Sequence, residues 1–251
     1  MAIVEIQGVK IGKGMPKICV PLVGETNQEL IAQAMKASQC DCDLVELRID
    51  HYEEIKKTDR VIEVLHRIRE CVSVPIMFTF RTYEEGGKVC ISNEDYTNLY
   101  QNVIEDGAVD LVDLQLLLGE EMVCPLIEMA KQKGIKVVLS NHDFKKTPDT
   151  KEMIERLLRM QEFGADIVKI AVMPEEKQDV LRLMEAVMYV NENSNITPVV
   201  GISMGEMGMP SRILGHWFGS AITFGVVDKS SAPGQLSIKE LRQLLELQKD
   251  N

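Results

Sequence analysis

The chain has 251 residues, 45% hydrophobic and 27% charged, usage that suits a folded domain and excludes general disorder. With 28 Lys and Arg against 39 Asp and Glu the formal net charge is −11, a field that repels nucleic-acid phosphates and anionic lipid, so neither is an expected partner. No stretch approaches the roughly 18 apolar residues of a membrane span, and MAIVEIQGVKIGKG at the start carries no basic leader before an apolar run, which makes a cytoplasmic protein the expectation.

The first residues alternate apolar and polar around Gly8, Gly12 and Gly14, a pattern that predicts a hairpin closing one end of the fold. After it, short β-branched runs recur at 18–23, 44–50, 76–82, 111–116, 136–142, 166–172, 199–203 and 222–227, each followed by a stretch of helical period. Segments such as NQELIAQAMKAS, NEDYTNLYQNVIED and DTKEMIERLLRMQEFG open on Asn or Asp as an N-cap, and several such stretches close on Gly. Eight strand-then-helix units predict a parallel sheet closed into a (β/α)8 TIM barrel, with residues 1–251 forming one domain. A doubly wound open sheet competes, but no GxGxxG follows the first strand and no P-loop is present.

Successive strand residues point to opposite sides, so a barrel strand should be apolar outward and turn polar inward toward its catalytic end. LVELRID sets Val45, Leu47 and Ile49 on one face and Glu46, Arg48 and Asp50 on the other. IMFTFRT leaves Met77, Thr79 and Arg81 pointing in, with Glu84 and Glu85 just beyond in EEGG. VVLSNHDF aligns Val138, Ser140 and His142, and DIVKIAVMP aligns Ile167, Lys169 and Ala171. In GMPSRILGHWFG a proline near a first helical turn precedes Arg212, placed where a helix dipole would also favour an anion. DKSSAPGQLS, after the last strand, is small and flexible enough for a lid. Arg48, Arg81 and Arg212 thus gather at the carboxyl ends of the strands in an otherwise acidic protein.

A lysine inside a barrel must be paired or uncharged, because burying a lone ammonium is costly. The plainer alternative is an interior ion pair of Lys169 with Glu46 or Asp50. The sharper one is a nucleophilic amine that attacks a ketone to give an iminium, an electron sink. A Schiff base needs a proton shuttle, and histidine is tuned for that near neutrality. His66 and His216 fall in helical patterns and His51 is ambiguous, whereas His142 ends the strand before Lys169 on the same inward face. Glu84 or Glu85 could orient it. The six cysteines are scattered, and Cys40-Asp41-Cys42 lacks metal-site spacing and a second half, so reduced thiols and no metal are expected.

ELRID (46–50), FTFRT with EEGG, SNHDF (140–144), DIVKIAVMP (166–174), GEMGMPSRILGHWFGSAITFG (205–225) and SAPGQ (231–235) occur in this order, and together they resemble the type I 3-dehydroquinate dehydratases of the shikimate pathway. The resemblance implies a (β/α)8 barrel, dimeric, that dehydrates 3-dehydroquinate to 3-dehydroshikimate by syn elimination without metal or cofactor. It implies Lys169 as Schiff-base lysine, His142 as general acid and base, and Glu85 as the carboxylate behind that histidine. It further implies Arg212 as the clamp on the substrate carboxylate, with Glu46, Arg48, Arg81, Ser231 and Gln235 completing the contacts. Asn141 departs from the resemblance, which also associates an aromatic with that position. Two rivals share these residues: a lysine-dependent aldolase, which commonly needs a phosphate loop after strands seven and eight, and a barrel that only binds a polyhydroxy acid.

Overall fold

The structure, a computed structural model, describes residues 2–194, 196–227 and 236–248. Strands β1 (Val4–Ile6) and β2 (Val9–Ile11) pair antiparallel with Val4 opposite Ile11. The two residues between them, Gln7 and Gly8, have φ of 46° and 82°, the left-handed conformations a tight two-residue hairpin turn demands.

Eight parallel strands follow: β3 (Lys17–Leu22), β4 (Leu44–Arg48), β5 (Ile76–Thr79), β6 (Leu111–Gln115), β7 (Lys136–Asp143), β8 (Ile167–Val172), β9 (Val199–Ser203) and β10 (Ile222–Val226). Each pairs with its successor from β3 to β9, and β10 returns to β3 with Thr223 opposite Ile18. The remaining seam is closed at the amino ends of β9 and β10 by a bridge between Val199 and Ser220, where Ala221 N–H donates to the Val199 carbonyl at 2.8 Å. The ring is therefore a (β/α)8 barrel, as the alternation predicts. A short β11 (Leu236–Ser237) lies parallel to the end of β10.

Among the described residues eight α-helices surround it: α1 (Asn27–Ala37), α2 (Thr58–Cys71), α3 (Asn93–Asp106), α4 (Glu120–Gln132), α5 (Thr150–Glu162), α6 (Lys177–Asn193), α7 (Met209–Leu214) and α8 (Ile238–Glu246). Each of the longer ones buries one stripe, as α2 does with Val61, Val64, Leu65 and Ile68 at helical spacing. At two helices expected to be capped by Asn the cap is one residue earlier. Thr26 and Ser92 accept from the backbone N–H of Glu29 and Asp95, because a hydroxyl at the N-cap reaches the N3 amide while Asn27 and Asn93 are already helical.

Two apolar cores result. One fills the layer between strands and helices, including Leu47, Phe78, Phe80, Leu139 and Ile170. The other plugs the barrel from below, where Ile6 and Ile11 of the hairpin meet Leu44, Met77, Leu111 and Ile167. The hairpin therefore closes the amino-terminal end, and the carboxyl end stays open for polar groups.

Candidate active site

Above the apolar plug the inward positions turn polar. Asp113 of β6 is fully buried and takes three partners: Oδ1 accepts from Ser140 Oγ at 2.6 Å and Arg81 Nη2 at 3.0 Å, and Oδ2 accepts from Lys169 Nζ at 3.3 Å. Lys169 also lies 3.6 Å from Glu46 Oε1 and 4.7 Å from the centre of the Phe224 ring. Thr79 Oγ1 donates to the same Glu46 oxygen at 3.0 Å. A buried ammonium so placed has both charge partners and a hydrogen bond, the condition under which burial is tolerated. Despite complete burial, which acts to raise it, the Asp113 carboxyl is held below the usual carboxylate range by Arg81 and Lys169. Burial likewise works against the Arg81 cation, and Asp113, Glu85 and Glu46 overcome it and raise its pKa.

Arg81 is spent mainly on this scaffold. Its Nη1 donates to Ser140 Oγ at 2.9 Å and to Gln115 Oε1 at 3.1 Å, and with Nη2 on Asp113 two of its five N–H donors are left over. Gln115 in turn joins Thr82 through both ends of its amide at 2.8 Å.

The turn after β5 brings Glu85 back over the barrel. Gly86 has φ of 85° and packs against Phe144, and a Cβ on Gly87 would lie 1.8 Å from the Arg81 carbonyl oxygen, so the Gly-Gly pair is what lets the chain fold back this closely. Glu85 Oε2 accepts from His142 backbone N–H and faces His142 Nδ1, both at 3.0 Å, while Oε1 accepts from Asn141 Nδ2 at 3.1 Å. Burial pushes the Glu85 pKa up to about 7, opposed by Arg81 and by the Asn141 and His142 donors. Burial and the cations Arg81, Lys169 and Arg48 push His142 well below its ordinary value, so its ring is neutral near neutral pH.

A cavity of about 540 Å³ opens over these groups, lined by Glu46, Arg48, His142, Lys169 and Arg212 among others. Arg212 is buried, and its Nε has no hydrogen-bond partner among the described residues. Burial alone draws its pKa below the ordinary guanidinium value. Among the described residues no carboxylate pairs with this buried cation, which borders the cavity, an arrangement that suits an incoming anion. A second cavity of about 510 Å³ lies outside, bordered by Glu85 and His142 as well as by Phe80 and Leu117.

Residues 18–251 match the family model of type I 3-dehydroquinase. The chain belongs to the type I 3-dehydroquinase family. Among its relatives, 3-dehydroquinate dehydratase of Clostridium novyi is 47% identical over 98% of this chain and 97% of that one. A crystal structure of type I 3-dehydroquinate dehydratase from Clostridium difficile, with covalently modified comenic acid, superposes with a TM-score of 0.97 at 42% identity over 100% of this chain and 99% of that one. The 3-dehydroquinate dehydratase of Enterococcus faecalis superposes with a TM-score of 0.91 at 43% identity, covering 97% and 98% of the two chains.

In this type I 3-dehydroquinase barrel, Lys169, His142, Glu46, Arg48, Arg81 and Arg212 border one cavity, and Glu85 stands behind His142. Ser231 and Gln235 lie outside the described residues, as do 228–235 of the expected lid DKSSAPGQLS, whose last two residues, Leu236 and Ser237, form β11. Two expectations are corrected. Asp50 does not reach Lys169: β4 ends at Arg48, the chain turns into a 3-10 segment at Ile49–His51, and Asp50 accepts from Arg48 Nε at 2.8 Å and Nη2 at 3.0 Å. Arg212 does not sit at a helix N-terminus, because α7 spans only Met209–Leu214 and holds it in the last turn. Burial and cavity position, not a dipole, suit it to an anion.

Asp113 and Gln115 were the residues missed. They share the inward parity of LVDLQ as Glu46 does in LVELR, so strand alternation was the signal that could have found them. His51 lies 3.7 Å from Asp50 at the cavity edge, and His66 pairs with Asp106 at 3.0 Å on the surface.

Proposed function

We propose that the chain dehydrates 3-dehydroquinate to 3-dehydroshikimate through a Schiff base on Lys169, as a cytoplasmic, single-domain enzyme of the shikimate pathway acting as a homodimer. The observation that carries this reading is the convergence on one cavity of Lys169, His142 and Arg212, whose Nε has no partner among the described residues.

Arg212 receives the substrate carboxylate, and Arg48, Arg81, Glu46, Ser231 and Gln235 serve the remaining carboxylate and hydroxyl contacts. Lys169 Nζ sheds a proton, for which Glu46 at 3.6 Å is the nearest acceptor opening on the cavity, and adds to the C3 ketone. Return of a proton to the carbinolamine hydroxyl releases water and leaves the iminium. Its positive charge acidifies the C2 proton, which the neutral ring of His142 removes. The same ring then protonates the C1 hydroxyl as it departs, so both groups leave from one face. Water hydrolyses the product iminium and restores Lys169. Glu85, bonded to Nδ1, holds the ring and stabilises its imidazolium, the part a buried carboxylate plays beside a catalytic histidine.

The aldolase reading needs a phosphate site after β9 and β10, where the cation that the described residues bring to the cavity is the buried Arg212, which suits a carboxylate. The test is turnover of 3-dehydroquinate followed by conjugated-enone absorbance, with borohydride added during turnover. The expected outcome is enone formation, loss of activity and a reduced adduct on the Lys169 peptide. Unmodified peptide with retained activity would overturn the lysine mechanism, and cleavage of sugar phosphates without enone formation would favour the aldolase.

A further inference from the structure

Asn141 is fully buried on β7 and faces outward, under α5, a position where the neighbouring Leu139 and Ile170 are apolar. Its amide is used at both ends. Arg156 of α5 donates from Nη1 to Oδ1 at 2.6 Å, and Nδ2 donates to Glu85 Oε1 at 3.1 Å. Arg156 is itself paired with Glu152 one helical turn earlier.

A guanidinium carries only donors, so the amide oxygen must face Arg156 and the NH2 must face Glu85. Glu85 then meets a donor at Oε1, a second from the His142 backbone at Oε2, and has Arg81 Nη1 at 3.6 Å. A carboxylate satisfies all three, whereas a protonated carboxyl would point its own hydrogen at one of them or at the ring. With Glu85 ionised, His142 Nδ1 carries the hydrogen and the bare Nε2 faces the cavity.

We propose that Arg156 and Asn141 are positioning residues that fix the tautomer of His142 from outside the barrel, by orienting the Asn141 amide so that Glu85 stays an acceptor. This rests on the reading of His142 as the base. If the amide donor is lost, Glu85 takes up a proton more readily and hydrogen-bonds Nδ1 as a donor. The ring then presents Nε2–H to the substrate and cannot accept the C2 proton. The balance is close, because burial already holds Glu85 at about 7. The other charges facing the pair stay unchanged in the variants below: Arg48 from β4, Arg81 after β5, Asp113 from β6 and Lys169 from β8, with Glu84, Asp143 and Lys145 bordering the outer cavity.

The experiment is the pH dependence of kcat with 3-dehydroquinate, from about pH 6 to about pH 9, for wild type, Arg156→Met, Arg156→Lys, Asn141→Ala and Glu85→Gln. Borohydride trapping and thermal melts accompany each. The acid limb of kcat is expected to move up by about 0.5–1 pH unit in Arg156→Met and Asn141→Ala. KM should stay within about twofold, and kcat should approach the wild-type plateau at the alkaline end, where Glu85 is ionised regardless. Arg156→Lys keeps one donor and should return most of the shift. Arg156 is partly exposed, with 20% of its side chain accessible, so its variants stay informative if Asn141→Ala fails to fold. An unmoved acid limb in a folded Arg156→Met, or an equal loss of kcat at every pH, would overturn the relay. Failure to trap wild type would instead sink the lysine mechanism, so the two failures are distinguishable.

Discussion

Glu85 is the residue on which pH dependence turns. Its carboxyl is raised to about 7 by burial, against Arg81 and the hydrogen bonds it accepts, and in the proposed mechanism its ionised form is the one that holds His142 as a base. Activity should therefore rise with pH through about 7 and level off above it, an acid limb that Glu85→Gln abolishes while lowering kcat by roughly 10–100-fold. Steady-state kcat profiles of the two proteins check this. The linkage has the opposite sign for stability. A raised carboxyl pKa means the folded state binds more protons than the unfolded one between the ordinary carboxyl range and about 7. The contribution of Glu85 is thus fully present below that window and is lost as pH rises through about 7.

At the level of elements, strands set direction and turns set approach. β5, β6, β7 and β8 each contribute a polar inward group at a similar height, and parallel register aligns Ser140 with both Gln115 and Lys169. That alignment is what lets Asp113 serve Arg81, Ser140 and Lys169 at once. The turn after β5 does the rest: Gly87 N–H donates to the Thr82 carbonyl at 2.8 Å, and no side chain fits at this position. Gly87→Ala should cost on the order of 2–3 kcal/mol, lower the melting temperature by roughly 5–10 °C, and reduce kcat by displacing Glu85. Differential scanning calorimetry with a parallel turnover assay reads both, and an unchanged melting temperature would contradict the steric account.

Across the whole molecule, stability and chemistry occupy opposite ends of the barrel. Ile11 is buried in the lower plug with Leu44, Met77 and Leu111, while Lys169, His142 and Arg212 border the upper cavity. Ile11→Ala should therefore cost about 2–5 kcal/mol of unfolding free energy and leave kcat and KM within about twofold of wild type. Denaturant titration together with kinetics checks the separation. The overall charge of −11 is likewise no guide to the cavity, which three arginines, Arg48, Arg81 and Arg212, border together.

Much was readable in the amino-acid order, because periodicity reports which side of an element is buried. Period-2 strands alternating with amphipathic helices predict the barrel and place Lys169, His142 and Arg81 inside it, and the motif order marks the family. What is local to one element, such as the end of β4 that turns Asp50 toward Arg48, or the short α7 that leaves Arg212 away from a helix start, depends on where the chain stops following its pattern. What lies between elements was decided only by the tertiary fold. Lys169 meets Asp113 across 56 positions, Glu85 meets His142 across 57, and Arg156 reaches under the sheet to Asn141. Such partnerships depend on register and on distances of a few ångströms, which no repeat in a single sequence encodes.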